Sequence, residues 1–192
     1  MGHEVETLVR RVKNGDAAAF PLLYDFFAKK VYNFVYRMLA SREEAEDITQ
    51  DTFLIVYREL KALRKDDQFE AWVYRIARNQ VYQRLRAGRY LRYTLDDEPH
   101  TDGRERHPQH PARDPEQDLL NQELNRAIQQ ALAQLPEKLR EVFVLAVIQK
   151  VPYKDICDIV GKSLSAVKSD IYRARLLARD ELKKYTGLDD WT

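Results

Sequence analysis

Between Pro152 and Arg175 the sequence PYKDICDIVGKSLSAVKSDIYRAR admits little besides two helices joined by a tight turn. Tyr153 to Val160 predicts a short helix that directs Ile156 and Ile159 inward. Gly161 supplies the turn, because glycine tolerates positive φ. Ser163 is a good N-cap for the second helix, its hydroxyl accepting a free N–H of the first turn. Leu164, Val167, Ile171, Ala174 and Ala178 then recur at spacings of three and four and predict one buried stripe. Ser165, Lys168, Ser169, Tyr172 and Arg175 fall on the far side, with Arg173 at its margin. Lys and Arg bind phosphate or guanine, and Ser and Tyr hydroxyls reach phosphate oxygens. This is the layout of a helix-turn-helix whose second helix lies in a DNA groove. An exposed basic face can also serve solubility alone; its place on the second helix of a two-helix unit favours DNA.

The net charge of +1 says nothing about nucleic acid, but its distribution does. Ser41 to Asp51 holds five acids and one Arg, and Lys61 to Arg92 holds nine bases and three acids. Thr94 to Asp118 holds eight acids and three bases, and Lys162 to Lys184 seven bases and three acids. Two basic segments separated by an acidic one fit a chain that touches one polyanion at two places. With only six glycines among 192 residues and no strand-like alternation, the chain is expected to be all-α. No apolar run is long enough to span a membrane, and the N-terminus MGHEVETLVRR lacks the apolar core of a signal peptide. Cys157 stands alone, so no intrachain disulfide is possible. A soluble cytoplasmic protein with no direct membrane insertion is expected.

Two small helical domains are expected, over 1–93 and 116–192, joined by a linker over 94–115. The first is a four-helix unit. Val5 to Asn14 ends at Gly15, and Asp16 can cap Ala17 to Leu39, whose apolar side carries Phe20, Leu23, Tyr24, Phe27, Val31 and Phe34. Ser41 and Glu44, at capping-box spacing, open a third helix to about Leu60. A polar break precedes a fourth, Phe69 to about Arg86. The linker holds four of the seven prolines and three of the four histidines. It has too little apolar surface to offset the entropy of ordering, so a flexible acidic strand is expected. In the second unit Leu119 to Leu135 is one amphipathic helix, Pro136 interrupts, Lys138 to Gln149 is another, and the helix-turn-helix follows.

On the third helix Asp47, Gln50 and Asp51 share a face, with Glu46 nearby, while Ile48, Phe53, Val56 and Tyr57 point inward or flank it. Acids early in a helix favour its dipole, but an acidic face with an amide donor also suits a basic helix of a protein partner. On the fourth helix Trp72, Val73 and Ile76 look like core. Arg75, Arg78, Asn79, Gln83, Arg84 and Arg86 are left over, and aromatics interleaved with bases suit single-stranded or distorted nucleic acid.

Four stretches, GDAAAFPLLYDFF, EEAEDITQDTFLIVYREL, FEAWVYRIARNQVYQRLR and LPEKLREVFVLAVIQKVPYKDICDIVGKSLSAVKSDIYRAR, resemble in order and spacing the signatures of bacterial RNA polymerase sigma factors. The similarity is to the extracytoplasmic-function class of the sigma-70 family. The resemblance implies a promoter −10 module (sigma region 2), a −35 module (sigma region 4) and no catalysis by this subunit. It implies core-polymerase binding through Glu46, Asp47, Gln50 and Asp51, docked on a coiled coil of the β′ subunit, with a further contact to the β flap. Leu63, Arg64, Lys65, Asp66 and Asp67 match the element that captures a flipped −10 base, although relatives can place an aromatic where Leu63 and Arg64 stand. Arg78 and Asn79, with Arg75, match the stretch that reads the upstream edge of the −10 element. Lys168, Ser169, Tyr172 and Arg173 match groove-facing −35 positions, with Ser165 and Arg175 beside them. Asp170 stands where relatives often carry Arg and is expected to point aside or pair with a base. The class also implies an anti-sigma factor, which can hold such a chain at the membrane.

Other readings are weaker. His100, His107 and His110 lie in the linker without the rigid four-ligand set that zinc prefers, so neither metal nor cofactor is expected. Cys157 fits a packing role better than a redox one. No Gly-rich phosphate loop or nucleophile triad is present, and a metal-dependent hydrolase built on the Glu43 to Asp51 acids lacks a second acidic cluster. The C-terminal unit alone would suit a helix-turn-helix regulator that binds a palindromic operator as a dimer, without polymerase.

Overall fold

The computed structural model describes residues 2–94 and 115–186. Among these residues the structure is helical and contains no strand. Of the expected linker over 94–115, Thr94 ends α4 and Pro115 opens α5, while 95–114, with the three histidines, lie outside the described residues. The N-terminal half comprises α1 (Gly2–Lys13), α2 (Ala19–Leu39), α3 (Arg42–Glu59) and α4 (Phe69–Thr94). The C-terminal half comprises α5 (Pro115–Gln134), α6 (Glu137–Phe143), α7 (Tyr153–Val160) and α8 (Leu164–Thr186).

Aromatic edge contacts stitch α2 to its neighbours: Tyr24 with Phe53 and Phe20 with Tyr57 on α3, Phe27 with Phe69 and Phe34 with Tyr74 on α4, at centroid distances of 4.8, 4.9, 5.3 and 5.6 Å. Ser41 caps α3 by accepting the Glu44 N–H at 3.2 Å. Asp16 is not the N-cap it was expected to be: that position falls on Ala18. Its carboxylate accepts the Ala18 N–H and pairs with Arg11, and α2 starts only at Ala19. Three apolar assignments shift. Tyr24 and Tyr57 remain exposed although their rings pack on Phe53 and Phe20, and Trp72 is only partly buried.

In the C-terminal half, Gly161 takes φ +68° and closes the turn between α7 and α8. The Ser163 hydroxyl accepts the Ala166 N–H. Val167, Ile171, Ala174 and Ala178 are buried as their spacing predicts. Leu164 is not: as the first residue of α8 it lies at the edge of the surface covered by α6 and α7, and it is exposed. The helix expected over Lys138 to Gln149 begins at Glu137 and loosens into a π-helical turn over Val144–Ile148.

The two halves are packed against each other. Leu132, Val142, Leu145, Ile156 and Ile159 belong to the same apolar core as Val31, Phe34, Val73 and Tyr74. Polar contacts reinforce the seam at the end of α2, whose terminal carbonyls are the ones a helix leaves least satisfied. Arg140 donates to the Met38 carbonyl at 2.9 Å, and the Gln129 amide donates to the Tyr36 and Arg37 carbonyls at 3.3 and 3.4 Å. Arg37 in turn donates to the side chains of Asn125 and Gln129.

Candidate nucleic-acid and protein interfaces

The acidic face of α3 stands clear of the core. Glu46, Asp47, Gln50 and Asp51 are all exposed, whereas Ala45, Ile48, Thr49 and Thr52 on the opposite side are buried. Asp47, Gln50, Asp51 and Leu54 follow at helical spacing and form one ridge. Leu54, 53% exposed, is an apolar member that the sequence reading missed, although it lies four residues beyond Gln50. A shallow groove lined by Tyr24, Lys29, Tyr32, Glu46 and Gln50 runs alongside, between α2 and α3.

The Leu63–Asp67 segment links two short 3₁₀ turns, Leu60–Ala62 and Asp66–Gln68. Leu63 is buried and anchors the loop, so it does not itself face solvent. Arg64, Lys65 and Asp67 are exposed, and Asp66 is partly covered and bonded to Lys13. On α4, Arg75 and Asn79 are exposed. Arg78 departs from its expected place on an open DNA-reading face. Its guanidinium pairs with Glu141 of α6 and lies over the Tyr82 ring at 4.7 Å. Tyr82 donates its hydroxyl to the other Glu141 oxygen at 2.9 Å. Glu141 is only 2% exposed. Burial raises its pKa above the ordinary carboxyl value, against the lowering effects of Arg78 and Tyr82. Burial, with the Glu141 charge, also pushes the Tyr82 hydroxyl up. Nearby, Tyr74 donates to the Gln149 side chain at 3.2 Å. Glu141 carried no sequence signal, because the partners of a charge on an amphipathic helix are set only when another element docks on it.

Along α8, Ser165, Lys168, Ser169, Tyr172, Arg173 and Arg175 are all exposed, opposite the buried stripe. Tyr172 is 64% exposed, its ring standing clear of the core. Asp170 pairs with Lys162 at 2.5 Å, so its charge is neutralised beside the basic face, as its position required. Cys157 is partly buried and packs against the core.

With these faces in place, the comparison with known proteins is decisive. The pattern Sigma-70 region 2 matches residues 23–90, and Sigma-70, region 4, matches 125–177. This chain belongs to the extracytoplasmic-function (ECF) subfamily of the sigma-70 factors. It is 33% identical to the ECF RNA polymerase sigma factor SigW of Bacillus subtilis, over 93% of this chain and 97% of that protein. It is 34% identical to the RNA polymerase sigma-H factor of Pseudomonas aeruginosa, over 88% and 89%. In fold it is similar to CnrH, solved with the cytosolic domain of CnrY, at a TM-score of 0.68 and 22% identity over 97% of this chain and 99% of that one. The sigma factor RpoE of Bartonella quintana, solved with the anti-sigma factor NepR, gives 0.66 and 23% over 89% and 98%. The region 2 match contains the acidic ridge, the Leu63–Asp67 loop and Arg78. The region 4 match contains the basic face of α8. As an ECF sigma factor the chain directs RNA polymerase to promoters, which an operator-binding regulator does not do.

Proposed function

We propose that this sigma factor divides its labour over three surfaces. The ridge of Asp47, Gln50 and Asp51, with Glu46, docks on a basic helical element of core polymerase, a coiled coil of the β′ subunit, while the C-terminal unit meets the β flap. Arg64, Lys65 and Asp67, with Arg75, Arg78 and Asn79, engage the −10 element as it opens. Leu63 and Asp66 shape that loop from within. Ser165, Lys168, Ser169, Tyr172, Arg173 and Arg175 engage the −35 element. The polymerase performs the chemistry, and this chain contributes recognition. It acts where polymerase and chromosome are, in the cytoplasm. Among the described residues no helix is long and apolar enough to cross a membrane. An anti-sigma factor covering these faces is the expected inhibitor.

The observation that carries this reading is the opposed chemistry of two solvent-facing surfaces, acidic on α3 and basic on α8, each backed by a buried stripe. The closed seam adds an order of events. The α3 ridge and the α8 face are open to partners, whereas Arg78 is held by Glu141. Core polymerase can therefore dock first, and the halves must part before Arg78 reads DNA. Run-off transcription with purified core enzyme on a promoter library tests the assignment. Defined start sites that depend on this chain are expected. Binding to a palindromic operator without any stimulation of core enzyme would overturn it.

A further inference from the structure

The loop assigned to the −10 element does not hold its shape alone. Lys13, at the C-terminal end of α1, reaches it with a partly buried ammonium group. Its Nζ donates to the Leu63 carbonyl and to the Asp66 carboxylate, each at 2.5 Å. These two acceptors flank Arg64 and Lys65, the exposed pair at the tip of the loop. Only 20% of the Lys13 side chain and 23% of the Asp66 side chain remain exposed, so solvent screens the pair less than it screens a surface ion pair. The end of α1 is itself fixed. Asp16 pairs with Arg11 at 2.8 Å, and Gly15 turns the chain with φ +95°. On the other side of the loop, the buried Leu63 side chain and the Leu63 N–H bond to the Leu60 carbonyl fix the backbone. The region 2 match begins at residue 23, so α1 lies outside it.

We propose that Lys13 is a positioning residue for −10 recognition: it clamps the backbone on both sides of Arg64 and Lys65 and neutralises Asp66, so that the loop meets the DNA strand already in its binding shape. This rests on the assignment of the loop given above. Preorganisation improves affinity and discrimination because less conformational freedom is lost on binding. Neutralising Asp66 also removes a negative charge that would face phosphate. α1 thus serves as the rear brace of the recognition loop.

The test uses holoenzyme assembled from core polymerase and the full chain. The probes are fluorescent non-template −10 strands from a promoter mapped by run-off transcription, with each base varied singly. For Lys13→Met, binding to the preferred strand should weaken about tenfold, roughly the entropy of fixing one residue's backbone again on binding. Discrimination among the variant strands should flatten, while affinity for core enzyme and for −35 duplex stays at the wild-type level. Lys13→Arg, which keeps a charged donor, should restore most of the discrimination. Asp66→Ala, which cuts one arm of the clamp, should move the same way as Lys13→Met by less. Parallel loss of core, −35 and −10 binding in Lys13→Met would show a general folding role and overturn the proposal. So would an unchanged discrimination profile. Arg64→Ala and Lys65→Ala separate the two levels: if neither alters −10 binding, the loop assignment itself fails, whereas an effect there with none at Lys13 defeats only the brace.

Discussion

Glu141 offers a quantitative test of how the two halves are held together. Its carboxylate is buried between α6 and α4 and accepts from Arg78 and from the Tyr82 hydroxyl. Glu141→Ala deletes two hydrogen bonds to a charged acceptor, each worth about 1.5–3 kcal/mol. Two effects offset the loss. Arg78 is 26% exposed and can turn toward water, and the buried charge no longer has to be desolvated. About 2 kcal/mol against the closed arrangement remains, about a thirtyfold fall in its ratio to the open form. The assay is intramolecular energy transfer between dyes at Asp25→Cys on α2 and Arg179→Cys on α8, in a Cys157→Ser background. Asp25 and Arg179 are both exposed. Glu141→Ala should lower transfer efficiency while helical content by circular dichroism is kept, and Glu141→Gln, which can still accept, should stay closer to wild type. An unchanged transfer efficiency in Glu141→Ala would refute the reasoning and leave the apolar seam as the sole restraint.

Three more outcomes are expected. Asp51→Arg, at an exposed site, should abolish co-elution with core polymerase without lowering the melting temperature; wild-type co-elution would remove Asp51 from the docking face. Lys168→Ala and Arg173→Ala should each weaken promoter binding, by about 1–3 kcal/mol if the side chain reads a base. If it meets only phosphate, the slope of log affinity against log salt should drop by about one. A titration unchanged in both respects would exclude the residue. Closure should also respond to pH. Glu141 faces Arg78, Tyr82 and Lys162, and Asp155 on α7 feels Glu70, Asp158 and Asp67 beside the compensating Lys154. Burial raises both carboxyl pKa values. An acid whose pKa is higher in the closed form takes up a proton on closing, so the contribution of these two acids to closure is present at low pH and fades as pH rises through the raised values, while the apolar seam remains. Transfer efficiency should therefore climb as pH falls through these raised values. Glu141→Gln combined with Asp155→Asn should flatten the profile, and an unaltered profile in that double variant would contradict the assignment.

Much of this molecule is legible along the chain because its helices are amphipathic and their stops are local. Gly161, Ser163 and Ser41 act within four residues of where they stand, so their roles follow from sequence. The stripe of Val167, Ile171, Ala174 and Ala178 is equally local, and Leu164 fails only because burial at a helix start depends on how far the neighbouring element extends. Exposed assignments such as Asp47, Gln50, Lys168 and Tyr172 follow as the complement of a buried face. Contacts between elements distant in sequence were not legible. Arg78 with Glu141, Arg140 with Met38 and Lys13 with Leu63 join residues 63, 102 and 50 positions apart. Each is a charged side chain on a helix with a solvent-compatible pattern, and only docking of another element decides what it meets. The resemblance to a family suggested the faces. It could not tell which of them the chain covers with its own second half.

The dye pair on α2 and α8 also gives the most direct test of the account. Energy transfer is measured on the free chain, again after core polymerase is added, and again with promoter DNA. High transfer in the free chain and low transfer in the promoter complex are expected, because Arg78 must leave Glu141 to reach the −10 strand. A promoter complex that initiates transcription with transfer still at the free-chain value would contradict it.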